Sequence, residues 1–294
     1  MRIVRCRCGP RRSWATSWSR SRIDKLDLRA YLRRIGYDGP LAPTGETLTG
    51  LHRAHVAAIA FENLDIVLDR GVSVDLGAVQ DKLVARGRGG YCYEHGLLFA
   101  AALDRVGYSV DRLLARIGAE EQRPRPRTHM ALHVRAGGLG WLADVGFGAG
   151  LLEPLTWGND EPCQQGSWTY QMKPSGPGHW QVRERLGTQW VVLYSFTGEP
   201  QHASDVTMAN HFTATYPSSP FVGQLVVMRK DARARHLLRD RRLTIVRPGE
   251  PDQERQLADP EVLDVLRSTF GLSLTPAEAA TVLASLGNGN GKPS

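Results

Sequence analysis

The 294-residue chain predicts a multidomain α+β fold, and three observations carry that prediction. Up to Gly107, apolar residues recur at helical spacing. From there to about residue 200, short apolar runs are broken by glycine turns at strand spacing. After Ser204, helical and extended patterns mix. The expected order is a mainly helical unit over 24–106, an antiparallel sheet or small barrel over about 108–200, and a mixed α/β unit after it.

The first helix is expected from Asp27, a suitable N-cap, through Leu28, Tyr31, Leu32 and Ile35, with Gly36 as its stop. A Pro/Gly-rich link, Gly39–Pro43, leads to a second helix from about Thr47, with Leu48, Leu51 and His55 on one face. Phe61-Glu62-Asn63-Leu64 follows as a connector. Leu76, Val79 and Leu83 predict a third helix. The apolar run Leu97–Leu103, ending near Gly107, predicts a buried fourth. Val110–Ile117 reads as a strand and Gly118–Thr128 as a polar loop. His129–Arg135 and Trp141–Val145 form a hairpin about Gly137-Gly138-Leu139-Gly140. Strands are expected at Ser167–Met172, Trp180–Arg185 and Gln189–Ser195. Then come a helix over Ser204–His211, strands at Val222–Met228 and Leu243–Val246, and helices opened by Asp259-Pro260-Glu261 and Thr275-Pro276.

The net charge of +7 is local. Residues 1–22 hold seven arginines and no acid, leaving 30 basic and 30 acidic residues in 23–294. A balanced body argues against a nucleic-acid binder. The first 22 residues lack a core pattern and are expected to be a disordered extension, although an Arg- and Ser-rich, acid-poor segment also has the character of a transit peptide. No apolar run approaches the length of a membrane span, and no secretory h-region follows the N-terminal arginines. Of four cysteines, Cys6 and Cys8 lie in the extension and Cys92 and Cys163 in the body. That is no disulfide framework, so the cytosol is the expected compartment. No phosphate-binding glycine loop and no metal-ligand spacing occur, and His52 and His55 lack an intervening Glu.

The chemistry centres on Arg88-Gly89-Gly90-Tyr91-Cys92-Tyr93-Glu94-His95. Cys92 falls at the start of the fourth helix, where free N–H groups favour a thiolate, and the two glycines permit a sharp turn and close approach. A lone cysteine is commonly a small core residue, so the argument needs a base. His129 and His133 share one face of a strand and Asp144 lies in its hairpin partner, which brings an imidazole and a carboxylate together. The pattern does not choose between the histidines. His129, at the strand mouth, is the more accessible, and His133 the deeper. Cys163, with no helix or histidine near it in sequence, reads as non-catalytic.

Arg88-Gly89-Gly90-Tyr91-Cys92, Thr128-His129 and Trp141–Gly148, with Phe61-Glu62-Asn63-Leu64 before them and Ser219-Pro220-Phe221 after, together resemble the arylamine N-acetyltransferase family over about residues 24–275. The resemblance implies a Cys-His-Asp triad of Cys92, His129 and Asp144, similar to that of papain-like cysteine proteases, and so selects His129. It implies an N-terminal helical bundle, a β-barrel and a C-terminal α/β lid. The chain then divides into the extension 1–22, a bundle over 23–107 bearing Cys92, a barrel over 108–212 bearing His129 and Asp144, a lid over 213–285 and a disordered tail over 286–294.

The activity implied is ping-pong transfer of an acetyl group from acetyl-CoA, through a thioester on Cys92, to a small-molecule arylamine or hydrazine, with no metal, nucleic acid or membrane involved. Gly146, Phe147, Gly148, Thr215 and Phe221 are expected to line the CoA and acceptor cleft. Glu62 and Arg88 are expected to be structural partners, and the Cys92 N–H one oxyanion donor. Three positions depart from the family: Gly87 replaces a basic residue, Ala60 a proline and Gly96 an asparagine. All three are smaller, which suits a roomier cleft. That favours an alternative, an amide synthase of polyketide biosynthesis that takes a long chain from an acyl carrier protein and closes a macrolactam.

Overall fold

The computed structural model describes residues 26–118 and 125–287. The expectations for residues 1–22, for Cys6 and Cys8, for the centre of the polar loop after Gly118 and for the tail beyond residue 287 lie outside the described residues.

Helix α1 (Leu28–Ile35) begins where the Asp27 carboxylate accepts the Ala30 N–H at 2.9 Å and ends at Gly36, φ 66°. Helix α2 (Gly45–Ala58) starts two residues earlier than expected, because Thr44 supplies the cap, its Oγ1 accepting from the Thr47 N–H at 3.2 Å. The expected connector after it is a short strand, β1 (Phe61–Glu62), and one helical turn, α3 (Leu64–Val67). Helix α4 (Leu76–Gln80), capped by Asp75, runs into a π-helical turn over Asp81–Ala85. Helix α5 (Cys92–Val106) is buried from Cys92 to Leu103 and ends at Gly107, φ 109°.

Eight antiparallel strands follow: β2 (Ser109–Ile117), β3 (Arg127–Ala136), β4 (Leu139–Ala143), β5 (Leu155–Thr156), β6 (Cys163–Gln165), β7 (Trp168–Gly176), β8 (His179–Leu186) and β9 (Gln189–Thr197). Their order, β5-β4-β3-β2-β9-β8-β7-β6, makes a nearly closed barrel joined through the β2–β9 pair. The β3–β4 turn is the pair Gly137-Gly138, φ 58° and 78°, as a tight primed turn requires. The gap between the edge strands is bridged by one side chain. The Gln165 amide on β6 accepts from Leu152 and Glu153 N–H (2.8 and 3.1 Å) and donates to Glu153 O (2.9 Å), just before β5.

Helix α6 (Ala203–Thr215) runs four residues past the expected His211. Strands β10 (Val226–Lys230), β11 (Arg235–Arg239), β12 (Arg242–Val246) and β13 (Gln253–Gln256) precede helices α7 (Asp259–Ser268) and α8 (Pro276–Gly287). Strand β10 begins at Val226 rather than Val222, because Val222 N–H closes a turn onto Ser219 O. Strands β11 and β13 are additions to the expected set. The second sheet has the order β1-β10-β11-β12-β13, so β1, from the helical region, supplies an edge strand to the sheet beneath α7 and α8.

Candidate active site

The loop before α5 is built for glycine. A Cβ on Gly89 would lie 2.2 Å from Ala60 O, and one on Gly90 2.8 Å from Glu94 Oε2. Glu62 N–H donates to Gly90 O at 2.8 Å and Gly90 N–H to Ala60 O at 3.3 Å, a short bridge between loop and β1. Glu94 Oε2 accepts the Tyr91 N–H at 3.0 Å and closes the helix start. Cys92, only 3% exposed, is thereby set at the first position of α5.

Opposite it, the β2–β3 ladder pairs Ala115 with His129 and Arg116 with Arg127, so Thr128 is an extra residue in a β-bulge. The Cys92 thiol donates to the Thr128 carbonyl at 3.6 Å. The next residue along β3 is His129, whose Nε2 meets Asp144 Oδ2 at 2.8 Å. Asp144 follows the last residue of β4, and continuing the register from Leu132↔Ala143 puts it opposite Ala131, a diagonal neighbour of His129. Its Oδ1 accepts the Gly146 N–H at 3.0 Å, and a Cβ on Gly146 would lie 2.9 Å from the Cys92 backbone. Thus three residues from α5, β3 and the β4 end converge. Nε2 is occupied by Asp144, which leaves Nδ1 for a second partner.

Burial governs the charges. It pushes the Cys92 thiol well up, and the nearby Asp144 and Glu94 carboxylates add to this. The N–H groups of Met130 and Tyr93 act the other way and lose. The expectation that the helix start alone would favour a thiolate is therefore corrected, because a fully enclosed sulphur sheds more hydration than two amide dipoles restore. Burial also raises Asp144, but His129, the Tyr194 hydroxyl and the Gly146 N–H outweigh it and hold the carboxyl below its ordinary range. The accessibility expectation reverses too. His129 is 2% exposed, between the rings of Phe147 (5.2 Å) and Tyr194 (4.8 Å). His133 is half-buried, lying against Trp157 with Asp111 at 3.6 Å.

Several supports had no sequence signal of their own. His52 accepts the Asp144 N–H at Nε2 (3.2 Å) while Nδ1 faces Leu152 O (3.0 Å), which fixes a neutral tautomer. Burial lowers it to about 4. Beneath α5 a second chain runs from Tyr31 OH to His55 Nδ1 (2.9 Å), from His55 Nε2 to His95 Nδ1 (2.9 Å) and from His95 Nε2 to Ala60 O (3.2 Å). A carbonyl only accepts, so every donor along the chain is fixed and both histidines are neutral. Burial lowers His95 to about 4. Lys82 Nζ lies 2.8 Å from both Asp65 and Glu94, and Arg88 pairs with Glu62 (3.3 Å) and with Glu278 of α8 (3.4 Å). The hint for His55 was its place on the apolar face of α2, and for His95 its place in the Cys92 motif.

Phe61-Glu62-Asn63-Leu64 now divides by task. Phe61 packs on Gly148 and on Phe221 (5.7 Å), and Glu62 pairs Arg88. Asn63 donates to Phe221 O and Gln224 O (2.8 Å each) and accepts from Val226 N–H (2.8 Å), while Leu64 enters the core under α7 and α8. Of the expected cleft residues, Gly146, Phe147, Gly148 and Phe221 come together around Cys92, Phe61 and His129. Thr215 stands apart on the exposed end of α6, its hydroxyl bonded to His211 O. The roomier-cleft expectation is corrected. A Cβ on Gly96 would lie 3.1 Å from Met130 Sδ, so Met130 already fills that space. Ala60 is packed at 5% exposure, and Gly87 sits in a left-handed turn, φ 64°. Among the described residues no cluster of three or more His, Cys, Asp or Glu side chains is arranged to hold a metal, and no helix is long and apolar enough to cross a membrane.

Comparison with known proteins agrees with this geometry. A family model described as N-acetyltransferase matches residues 44–279. An arylamine N-acetyltransferase from Mycolicibacterium smegmatis is 36% identical over 256 residues, covering 85% of this chain and 93% of that protein. The solved structure of the arylamine N-acetyltransferase from Mycobacterium abscessus superposes with a TM-score of 0.86 at 38% identity, covering 90% of this chain and 96% of that one. The Mycobacterium marinum arylamine N-acetyltransferase in complex with CoA gives 0.82 at 33% identity, covering 88% and 98%.

Proposed function

The chain belongs to the arylamine N-acetyltransferase family, and on that premise we propose that it moves an acetyl group from acetyl-CoA to the nitrogen of a small arylamine or hydrazine through a thioester on Cys92. The carrying observation is the convergence of Cys92, His129 and Asp144 at the start of α5, with Asp144 bonded to His129 at 2.8 Å.

Asp144 orients His129 through its bond to Nε2. Because burial opposes a lone thiolate, the proton leaves Cys92 for His129 as sulphur and imidazole charge together. The sulphur attacks the thioester carbonyl, the carbon–sulphur bond to CoA breaks, and the departing thiolate takes the proton from His129. The amine then attacks the acetyl-cysteine, its nitrogen losing a proton to His129 as the carbon–sulphur bond to Cys92 breaks and the thiol reforms. At the α5 start the Cys92 N–H is the donor offered to the oxyanion, since the Tyr91 and His95 amides are engaged by Glu94 and by Tyr91 O and the Tyr93 N–H faces the Cys92 sulphur. Phe147, Gly148 and Phe221 supply the apolar wall against which a planar aromatic amine packs. The cytosol, where thiols stay reduced, is the compartment suited to a free catalytic cysteine. The carrier-protein reading finds no support in the geometry or in the relatives.

Intact mass after mixing with acetyl-CoA alone tests the proposal. A gain of about 42 Da that is absent in Cys92→Ala and discharged by an arylamine is the expected result. No adduct on a protein whose Cys92 iodoacetamide still alkylates sinks it.

A further inference from the structure

Lys230 is 2% exposed, yet it carries an ammonium, and burying a charge is unfavourable unless its bonding is complete. Here it is complete. Nζ donates to Ala149 O (3.0 Å), to Glu184 Oε1 (2.7 Å) and to the Tyr170 hydroxyl, three acceptors for three protons, and lies 3.7 Å over the Trp168 ring. Tyr170 passes its own proton to Gly150 O at 2.7 Å, and the second oxygen of Glu184 takes Arg235 at 3.0 Å. One point thus joins β10, β7, β8 and β11 to two consecutive carbonyls of the segment between β4 and β5.

That segment begins at Asp144, touches the Cys92 backbone through Gly146, sets Phe147 edge-on to His129 and packs Gly148 on Phe61. It has no strand pairing before Leu155, so its place depends on side-chain grips: Asp144 on Gly146 N–H at one end, Lys230 and Tyr170 on Ala149 and Gly150 at the other. Between it and β10 lies a cavity of about 20 Å³ lined by Asp144, Phe147, Gly148, Met228 and Lys230.

We propose that charged Lys230 is a positioning residue for the acetyl-transfer site, acting through the 144–151 segment to hold Phe147 against His129. The inference rests on the reading of Cys92, His129 and Asp144 given above. The groups facing Lys230 are Glu184 and Tyr170 from the barrel and Arg235 from β11; Asp144 and, beside Lys230 on β10, Arg229 line the same cavity. Burial pulls Lys230 down to about 7 against the attraction of Glu184, so its charge is lost as pH rises through neutrality.

Hydrogen exchange over 144–151, corrected for intrinsic rates and referenced to α5, is the test. In the wild type, protection is expected to fall at least roughly fivefold from about pH 6 to about pH 8, and Lys230→Met is expected to show the low protection at both. In the same variant kcat/KM for arylamine acetylation drops about tenfold, while iodoacetamide alkylation of Cys92 changes less than about twofold, which separates positioning from general destabilisation. Tyr170→Phe, which frees one carbonyl and keeps the charge, falls between. Equal protection of 144–151 in wild type and Lys230→Met overturns the proposal. If that variant does not fold, unchanged wild-type protection across the two pH values overturns it. Absence of an acetyl adduct in the wild type defeats the activity reading alone, because the exchange measurement needs no turnover.

Discussion

At Cys92 the helix start and the enclosure pull in opposite directions, and the enclosure wins, so the thiol depends on a partner to lose its proton. Replacing His129 by Ala is therefore expected to slow iodoacetamide alkylation at neutral pH by more than about tenfold, although the reagent needs no acetyl-transfer chemistry. Asp144→Asn, which keeps the shape but spoils the tautomer, should lower kcat about 10³- to 10⁴-fold with Cys92 still in place. A full rate in either variant, measured by alkylation for the first and steady-state kinetics for the second, contradicts the assignment. Cys92 and Asp144 were proposed from their place at a helix start and in a hairpin, whereas the pattern left His129 and His133 open and the family resemblance chose His129. His52, Lys82 and Glu278 were not legible in sequence. Each acts on a partner distant along the chain (Asp144, Glu94 and Arg88), and a buried histidine or a lone glutamate has no local pattern.

The elements that read clearly were those with a cap or an uninterrupted apolar face, such as α1 between Asp27 and Gly36, α5 before Gly107 and the Gly137-Gly138 hairpin. Strand β13, Gln253–Gln256, is exposed at all four residues and pairs with β12, so no side-chain alternation announced it. The bulge at Thr128 was equally silent, since a register shift depends on the partner strand. Two substitutions probe how these elements support the site. Gly89→Ala drives a methyl into the Ala60 carbonyl, a rigid backbone atom, so a loss of several kcal/mol is expected, with slower Cys92 alkylation in whatever folds. Gly96→Asn presses on flexible Met130 and should cost only about 1–3 kcal/mol by denaturant unfolding, largely restored by adding Met130→Ala. Equal costs for the two substitutions would show that rigidity of the neighbour is irrelevant.

For the whole molecule, pH acts through groups that differ between folded and unfolded chains. His52 and His95, lowered to about 4, and His55, also held well down by burial, stay neutral when folded, whereas the unfolded chain takes up those protons below about 6.5. The unfolded state then binds more protons, so stability rises with pH from about 4 to about 6.5. Glu94, which burial raises to about 7 against Lys82, works in the opposite sense over part of that window, but as one group against three. Denaturant midpoints should climb across this range, and His55→Leu should flatten the climb. A midpoint independent of pH there would refute the neutral-histidine account. The order of units was readable from periodicity, but the sharing between them was not, because β1 joins β10 from 165 residues away and Arg88 meets Glu278 from 190 away. That sharing has a consequence for manufacture. During synthesis the ribosome releases Gly89, Gly90 and Cys92 long before β10 and α8 exist, so β1, on which the loop rests, lacks its pairing to β10 and Arg88 its last counter-charge. The nascent thiol is a cysteine like any other, and the finished chemistry switches on only when the late-emerging residues dock.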